Sequence, residues 1–303
     1  MDYKHGFIHE PAEEYHKRRL DVASNGGLVL LDTTTPLHYH HWITNPEPDE
    51  AESAALKLGK AYHCAVLEPD VFAETYCVIP PDAPRDLRRF RDAKKPSQET
   101  LDSIDWWDGW EAENAGRIML AHDVRERIIA MATAQRSMRL SIGGVTFRLA
   151  ELIDVCEKEV SAYWQDEVSG VHCKARFDLL ERDLGFCGDL KTARDAGKEA
   201  FSRSAAGLRY HQQQAHYCEG FRALVGRAPA AFSFLPIEKE PPYAPAAWHL
   251  GAASHELGYG LQQRALAKLA GCLKNNRWPG YPETVAEIEL PTWAHYELES
   301  KTA

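Results

Sequence analysis

The stretch "EVSAYWQDEVSGVHCKARFDLLERDLGFCGDLKT", residues 159–192, decides the fold. It alternates apolar and polar residues with period two, which marks strands with one buried face. Val160, Ala162 and Trp164 share one face of a first strand, "QDEVSG" supplies a turn, and Val171, Cys173, Ala175 and Phe177 point inward from a second. The opposite face of the second strand carries His172, Lys174, Arg176 and Asp178. After the short break "RDLG", "FCGDLKT" reads as a third strand, on which Asp189 and Lys191 lie two positions apart and point the same way. Pairing through that break sets Asp178 beside Asp189. Two carboxylates so close repel unless a cation separates them or one takes up a proton. A divalent ion meets that need, and Mg2+ suits it because it binds through one or two carboxylates plus water and substrate phosphate. On spacing alone, an ordinary ion-pair cluster at a sheet edge is an equal reading.

Working outward, "ALKLGKAYHCAVLEPDVF" has helical spacing, with Leu56, His63 and Leu67 on one side and a stop at Glu68-Pro69; a further helix begins at Asp70. Gly59 and His63 share a face, the glycine allowing a close approach to neighbouring backbone. Upstream, residues 1–24 are polar and read as a loosely attached arm, leaving 25–303 as one domain, and Pro36, Pro46 and Pro48 mark turns around a short helix. Residues 97–138 read as one or two long helices with Ile118, Ala121, Val124, Ile128 and Met131 as an apolar stripe. Downstream come helices over about 196–206 and 208–225, strands in "AAFSFLPIEK" and "YAPAAWHL", and a closing helix near 252–275. Gln213 and Tyr217 share a helical face, as do Tyr210 and Phe221. This order implies an α/β fold, a mixed central sheet flanked by helices.

Composition bounds the function. The chain has 303 residues, of which 44% are hydrophobic, and seven scattered cysteines without CxxC spacing, so neither a disulfide frame nor a zinc or iron–sulfur site is expected. Neither a signal core nor a membrane-length apolar run is present, and a cytoplasmic protein without membrane contact is expected. The net charge of −10 argues against a nucleic-acid coat protein, though "RDLRRFRDAKK", residues 85–95, sets six basic residues against two acidic ones. Such a block is a solvated face or a phosphate-tracking patch.

Taken in order, Gly59 and His63, Glu159, Asp178, Asp189 with Lys191, and Gln213 with Tyr217 resemble the pattern of the PD-(D/E)XK nuclease superfamily. Within it the chain is most similar to the RecE-type (exodeoxyribonuclease VIII-like) exonucleases of phages and prophages. "CLKNNRWPGY" and "ELPTWA" resemble that family's tail. Departures are Phe177 where proline is usual before the aspartate, Ala193 where a second threonine is expected, and "SNGGLVLLD" in place of the usual N-terminal signature.

The resemblance implies a restriction-endonuclease-like core and a Mg2+ site, with Mn2+ as a possible substitute, made by Asp178, Asp189, the Leu190 carbonyl and His63. It implies that Glu159 assists a second metal or its waters, that Lys191 positions the attacking water, and that Gln213 and Tyr217 contact DNA. Arg85, Arg88, Arg89, Arg91 and Arg176 would then hold DNA, with Trp106, Trp107 and Trp110 either stacking on bases or packing helices together. The implied activity is 5′-to-3′ digestion of linear double-stranded DNA, leaving 3′ overhangs for a single-strand annealing protein. A homo-oligomeric ring and a bacterial or phage origin complete the expectation. The alternatives are a structure-specific or restriction-like endonuclease and a catalytically inactive DNA-binding relative, the latter disfavoured because Asp178, Asp189 and Lys191 are all present.

Overall fold

The computed structural model describes residues 3–45, 53–142 and 144–291. Pro46, Pro48 and the end of "ELPTWA" lie outside them. The chain begins with β1 (Gly6–Ile8), α1 (Ala12–His16), β2 (Val22–Ser24), α2 (Asn25–Thr33) and α3 (Pro36–Thr44). Next come α4 (Ala54–Leu67), α5 (Pro69–Thr75), β3 (Tyr76–Val78), α6 (Gln98–Glu113), β4 (Ile118–Leu120) and α7 (His122–Ser137). A small hairpin of β5 (Arg139–Ile142) and β6 (Val145–Arg148) leads through α8 (Leu149–Val155) into β7 (Glu157–Gln165), β8 (His172–Glu181) and β9 (Phe186–Ala193). The chain closes with α9 (Lys198–Gly207), α10 (Tyr210–Val225), β10 (Ala231–Glu238) and α11 (Ala252–Asn275).

The central sheet runs β1-β7-β8-β9-β10, with β2 added to β8. It is mixed: β7, β8 and β9 are consecutive antiparallel neighbours, while β10 is parallel to β9 and β2 to β8. The central hairpin has the register its alternation implies, Val160 opposite Phe177, Ala162 opposite Ala175 and Trp164 opposite Cys173. Its turn closes on Asp166, whose carboxylate accepts from the Ser169 amide at 2.7 Å, and Gly170 there has φ +71. Apolar side chains on the two sheet faces form two cores. One packs against α2, α3, α9, α10 and α11, the other against α4, α5, α7 and α8. Side-chain caps start several of these helices: Ser24, Thr35, Ser53 and Ser97 each accept from a backbone amide of the first turn.

Four local expectations differ from the structure. Residues 3–24 are not a loose arm, since β1 pairs with β7, β2 pairs with β8, and Tyr15 is buried. The stripe over 118–131 breaks at its start: Ile118 belongs to β4, which pairs with β3, and α7 begins after Ala121. "YAPAAWHL" makes only isolated bridges, Phe234 with Trp248 and Ile237 with Pro245, because Pro242 and Pro245 have no amide proton for a ladder. In α4, Leu56 is exposed while Leu67 is buried.

Candidate active site

Strand β8 has one continuous neighbour, β7, along one edge. Along the other edge it pairs with β2 over residues 172–174 and with β9 only over 179–181. Beyond Leu179, opposite Gly188, β8 and β9 part. The Asp178 carboxylate takes over there, accepting from the Leu190 amide at 2.7 Å. Asp178 and Asp189 are therefore adjacent at the fork, as the turn between the strands requires. Helix α10 satisfies other groups along the gap: His216 Nε2 donates to the Lys174 carbonyl at 3.0 Å, and the Arg176 backbone reaches the Tyr217 hydroxyl.

Asp189 and Lys191 share a face of β9 and form an ion pair with each other. Gln213 Nε2, from α10, donates to Asp189 Oδ1 at 2.5 Å. Burial would depress the Lys191 pKa, but Asp189 and Asp178 outweigh it and hold the ammonium above its ordinary value. Lys191 is thus a cation at neutral pH. Burial is the largest cause raising the Asp178 pKa, followed by the charges of Asp189 and Glu159. A proton or a metal cation relieves that crowding.

His63, Glu159 and Asp178 bring one potential ligand atom each to within 4.8 Å of one another. His63 Nδ1 stands 3.6 Å from Asp178 Oδ2. Burial pulls the His63 pKa down to about 4, against the raising effects of Glu159 and a hydrogen bond to the Leu190 backbone. Its imidazole is therefore neutral and able to ligate at pH 7. Glu159 interrupts β7 with a left-handed backbone, φ +53, which costs a non-glycine residue about 1–2 kcal/mol. Such strain is found where a side chain must be aimed at a functional group. The donor set of one imidazole and two half-buried carboxylates fits a divalent cation, and its mixed nitrogen and oxygen character suits Mn2+ as well as Mg2+.

The expected metal set of His63, Asp178, Asp189 and the Leu190 carbonyl is thus gathered differently. Glu159 joins His63 and Asp178, while Asp189 is turned toward Lys191 and Gln213. Gln213 is buried and Tyr217 half-buried, its ring 5.0 Å from that of Phe177. Arg176 donates through Nε to Glu159 at 2.7 Å and through Nη1 to Ser161 and to the Glu10 carbonyl. Gly59 makes no close approach, for a Cβ there would meet nothing within 4 Å.

In the basic segment, Arg88 is held by Asp86 and Glu111, and Arg91 by Asp108 at 2.6 Å. Arg85 and Arg89 are exposed. Trp107 is buried with its indole donating to the Pro84 carbonyl at 3.0 Å, and Trp106 stacks on Trp110, so the tryptophans pack with one another. Sequence reading missed the Glu159–Arg176 pair, although the alternation of β8 already put Arg176 and Asp178 on one face.

A family model described as a PDDEXK-like domain of unknown function matches residues 32–291. No curated protein matches the chain in sequence. A crystal structure from Eubacterium rectale bearing the name "Putative exonuclease" aligns over 91% of this chain and 97% of its own, with a TM-score of 0.52 at 15% identity. At that identity the likeness is one of fold.

Proposed function

Since the chain belongs to this PDDEXK-like domain family, we propose that it is a metal-dependent nuclease acting as a 5′-to-3′ exonuclease on linear double-stranded DNA. The observation that carries the reading is the fork between β8 and β9, where His63, Glu159 and Asp178 meet beside the Asp189–Lys191 pair. A Mg2+ or Mn2+ ion held by His63, Glu159 and Asp178 would supply an acidified water and neutralise phosphate charge. The protein's own groups do the rest. Gln213 fixes Asp189, Asp189 fixes Lys191, and the Lys191 ammonium stands ready to stabilise negative charge developing on phosphorus oxygens. Asp178 holds the Leu190 amide, and the Leu190 carbonyl, in the next peptide unit, accepts from His63.

Of the basic segment, the exposed Arg85, Arg89, Lys94 and Lys95 lie outside the ion pairs that hold Arg88 and Arg91, and these four would meet DNA phosphates. The resemblance to RecE-type enzymes supports a 3′ overhang as product and a single-strand annealing protein as its recipient. With a net charge of −10, a sustained grip on DNA calls for several copies in a homo-oligomeric ring around the duplex, and a strict monomer by light scattering would count against it.

The test uses linear and closed-circular duplexes, labelled at the 5′ or the 3′ end, incubated with Mg2+ or Mn2+. The intact protein is expected to release 5′ label from linear DNA and to spare circles, and Asp189→Ala and Lys191→Ala to release none. Cleavage of the circle makes it an endonuclease on the same core. Equal activity in the variants moves the site elsewhere.

A further inference from the structure

Residues 3–24 cross one face of the β7–β8 hairpin from edge to edge. Strand β1 lies along the free edge of β7, with Ile8 opposite Ser161, and β2 returns to the far edge of β8, with Ser24 opposite Lys174. Between them, the Glu10 carboxylate accepts from Tyr163, the Lys174 ammonium donates to the Tyr15 and Lys17 carbonyls, and the Tyr15 ring lies against Lys174 and Arg176. This strap precedes the region matched by the family model, which begins at residue 32.

Arg176 is the point where strap and site meet. Its guanidinium bonds Glu159 through Nε at 2.7 Å and, through Nη1, the Glu10 carbonyl and Ser161 Oγ at 3.1 Å each. The rigid planar guanidinium directs Nε and Nη1 at these partners in a fixed geometry, whereas a lysine ammonium would keep the charge and lose that geometry. Glu159 needs such a hold because its left-handed backbone leaves it strained within the strand.

We infer that Arg176, seated by the N-terminal strap, is a positioning residue that aims the Glu159 carboxylate into the metal cluster. The inference deepens the proposed nuclease reading and rests on it. It makes the strap part of the active centre rather than an appendage.

The experiment measures Mn2+ affinity by calorimetry, and kcat and KM on linear duplex, for the full-length protein, Arg176→Lys and Lys174→Met. Lysine at 176 keeps the charge and loses the fork, so electrostatic and geometric roles separate. Arg176→Lys is expected to weaken Mn2+ binding about tenfold and to lower kcat about ten- to a hundredfold, with KM for DNA little changed. Lys174→Met, which releases the strap without touching the cluster, is expected to weaken Mn2+ binding severalfold. An Arg176→Lys protein with intact Mn2+ affinity and kcat overturns the inference. So does a raised KM with the other two values unchanged, which makes Arg176 a DNA contact. If the intact protein binds Mn2+ but cuts no DNA, a weakened affinity in Arg176→Lys still supports the strap's role while the nuclease reading fails.

Discussion

Replacing His216 by glutamine should change how stability depends on pH, and the size of the change follows from where the imidazole sits. The ring is fully buried, its centroid 4.9 Å from that of Trp164. Nε2 donates to the Lys174 carbonyl, which leaves Nδ1 to accept from the Gln262 amide at 3.3 Å. A second proton would have to enter at Nδ1, against a donor and away from water. Burial accordingly lowers the His216 pKa from 6.5 to about 4, against smaller raising effects of the Lys174 carbonyl and Asp166. The unfolded chain binds this proton below about pH 6.5 and the native chain only below about 4. Stability is therefore fully present above 6.5 and falls as the pH drops through that window. At 1.36 kcal/mol per unit, the loss comes to about 3 kcal/mol by pH 4. Urea unfolding of both proteins from pH 4 to 7 checks this. The variant's glutamine can still donate to the Lys174 carbonyl but cannot titrate, so the stability difference between the two should shrink or reverse in the variant's favour by about that amount at acid pH. A difference that stays flat, or an NMR titration placing His216 near 6.5, refutes the reasoning.

The site and the helix crossing that supports it give further predictions. Asp178→Asn removes one of the crowded carboxylates, so the metal-free variant should melt above the metal-free parent. Saturating Mn2+, worth about 2.7 kcal/mol to the parent at a hundred times its Kd, should add nothing to it in melts with and without chelator. Gln213→Ala leaves Asp189 Oδ1 without its donor and should cost about 1–3 kcal/mol in denaturant titrations, with a fall in kcat. Gly258→Ala would set a Cβ 2.0 Å from the His211 carbonyl oxygen, so α11 must separate from α10, at an expected cost of at least about 3 kcal/mol in thermal unfolding.

The β7–β8 hairpin was legible because one of its faces is buried along its whole length, and burial writes itself into the sequence as alternation. Asp189 and Lys191 were legible for the same reason, since spacing by two fixes a shared side. The strap was not. "GFI" and "VAS" are three-residue strands with no pattern of their own, held by the edges they meet more than 140 residues later. Glu159 was legible in part: by alternation it points with Ser161, to the face that carries Arg176 and Asp178, but no residue type signals its positive φ. Arg176 was legible as a charge on the right face but not as a partner, because its partners come from the strap and from that same kink.

The fork itself sets stability against function. Where β8 leaves β9, the sheet gives up ladder hydrogen bonds, and a carboxylate, a histidine and a tyrosine fill in for them. A β-branched residue at 178 would favour zipping the two strands further together and could make a firmer sheet. It would also shut the opening at which side chains from three strands and two helices meet. Selection for a tougher protein at that point is selection for an inert one.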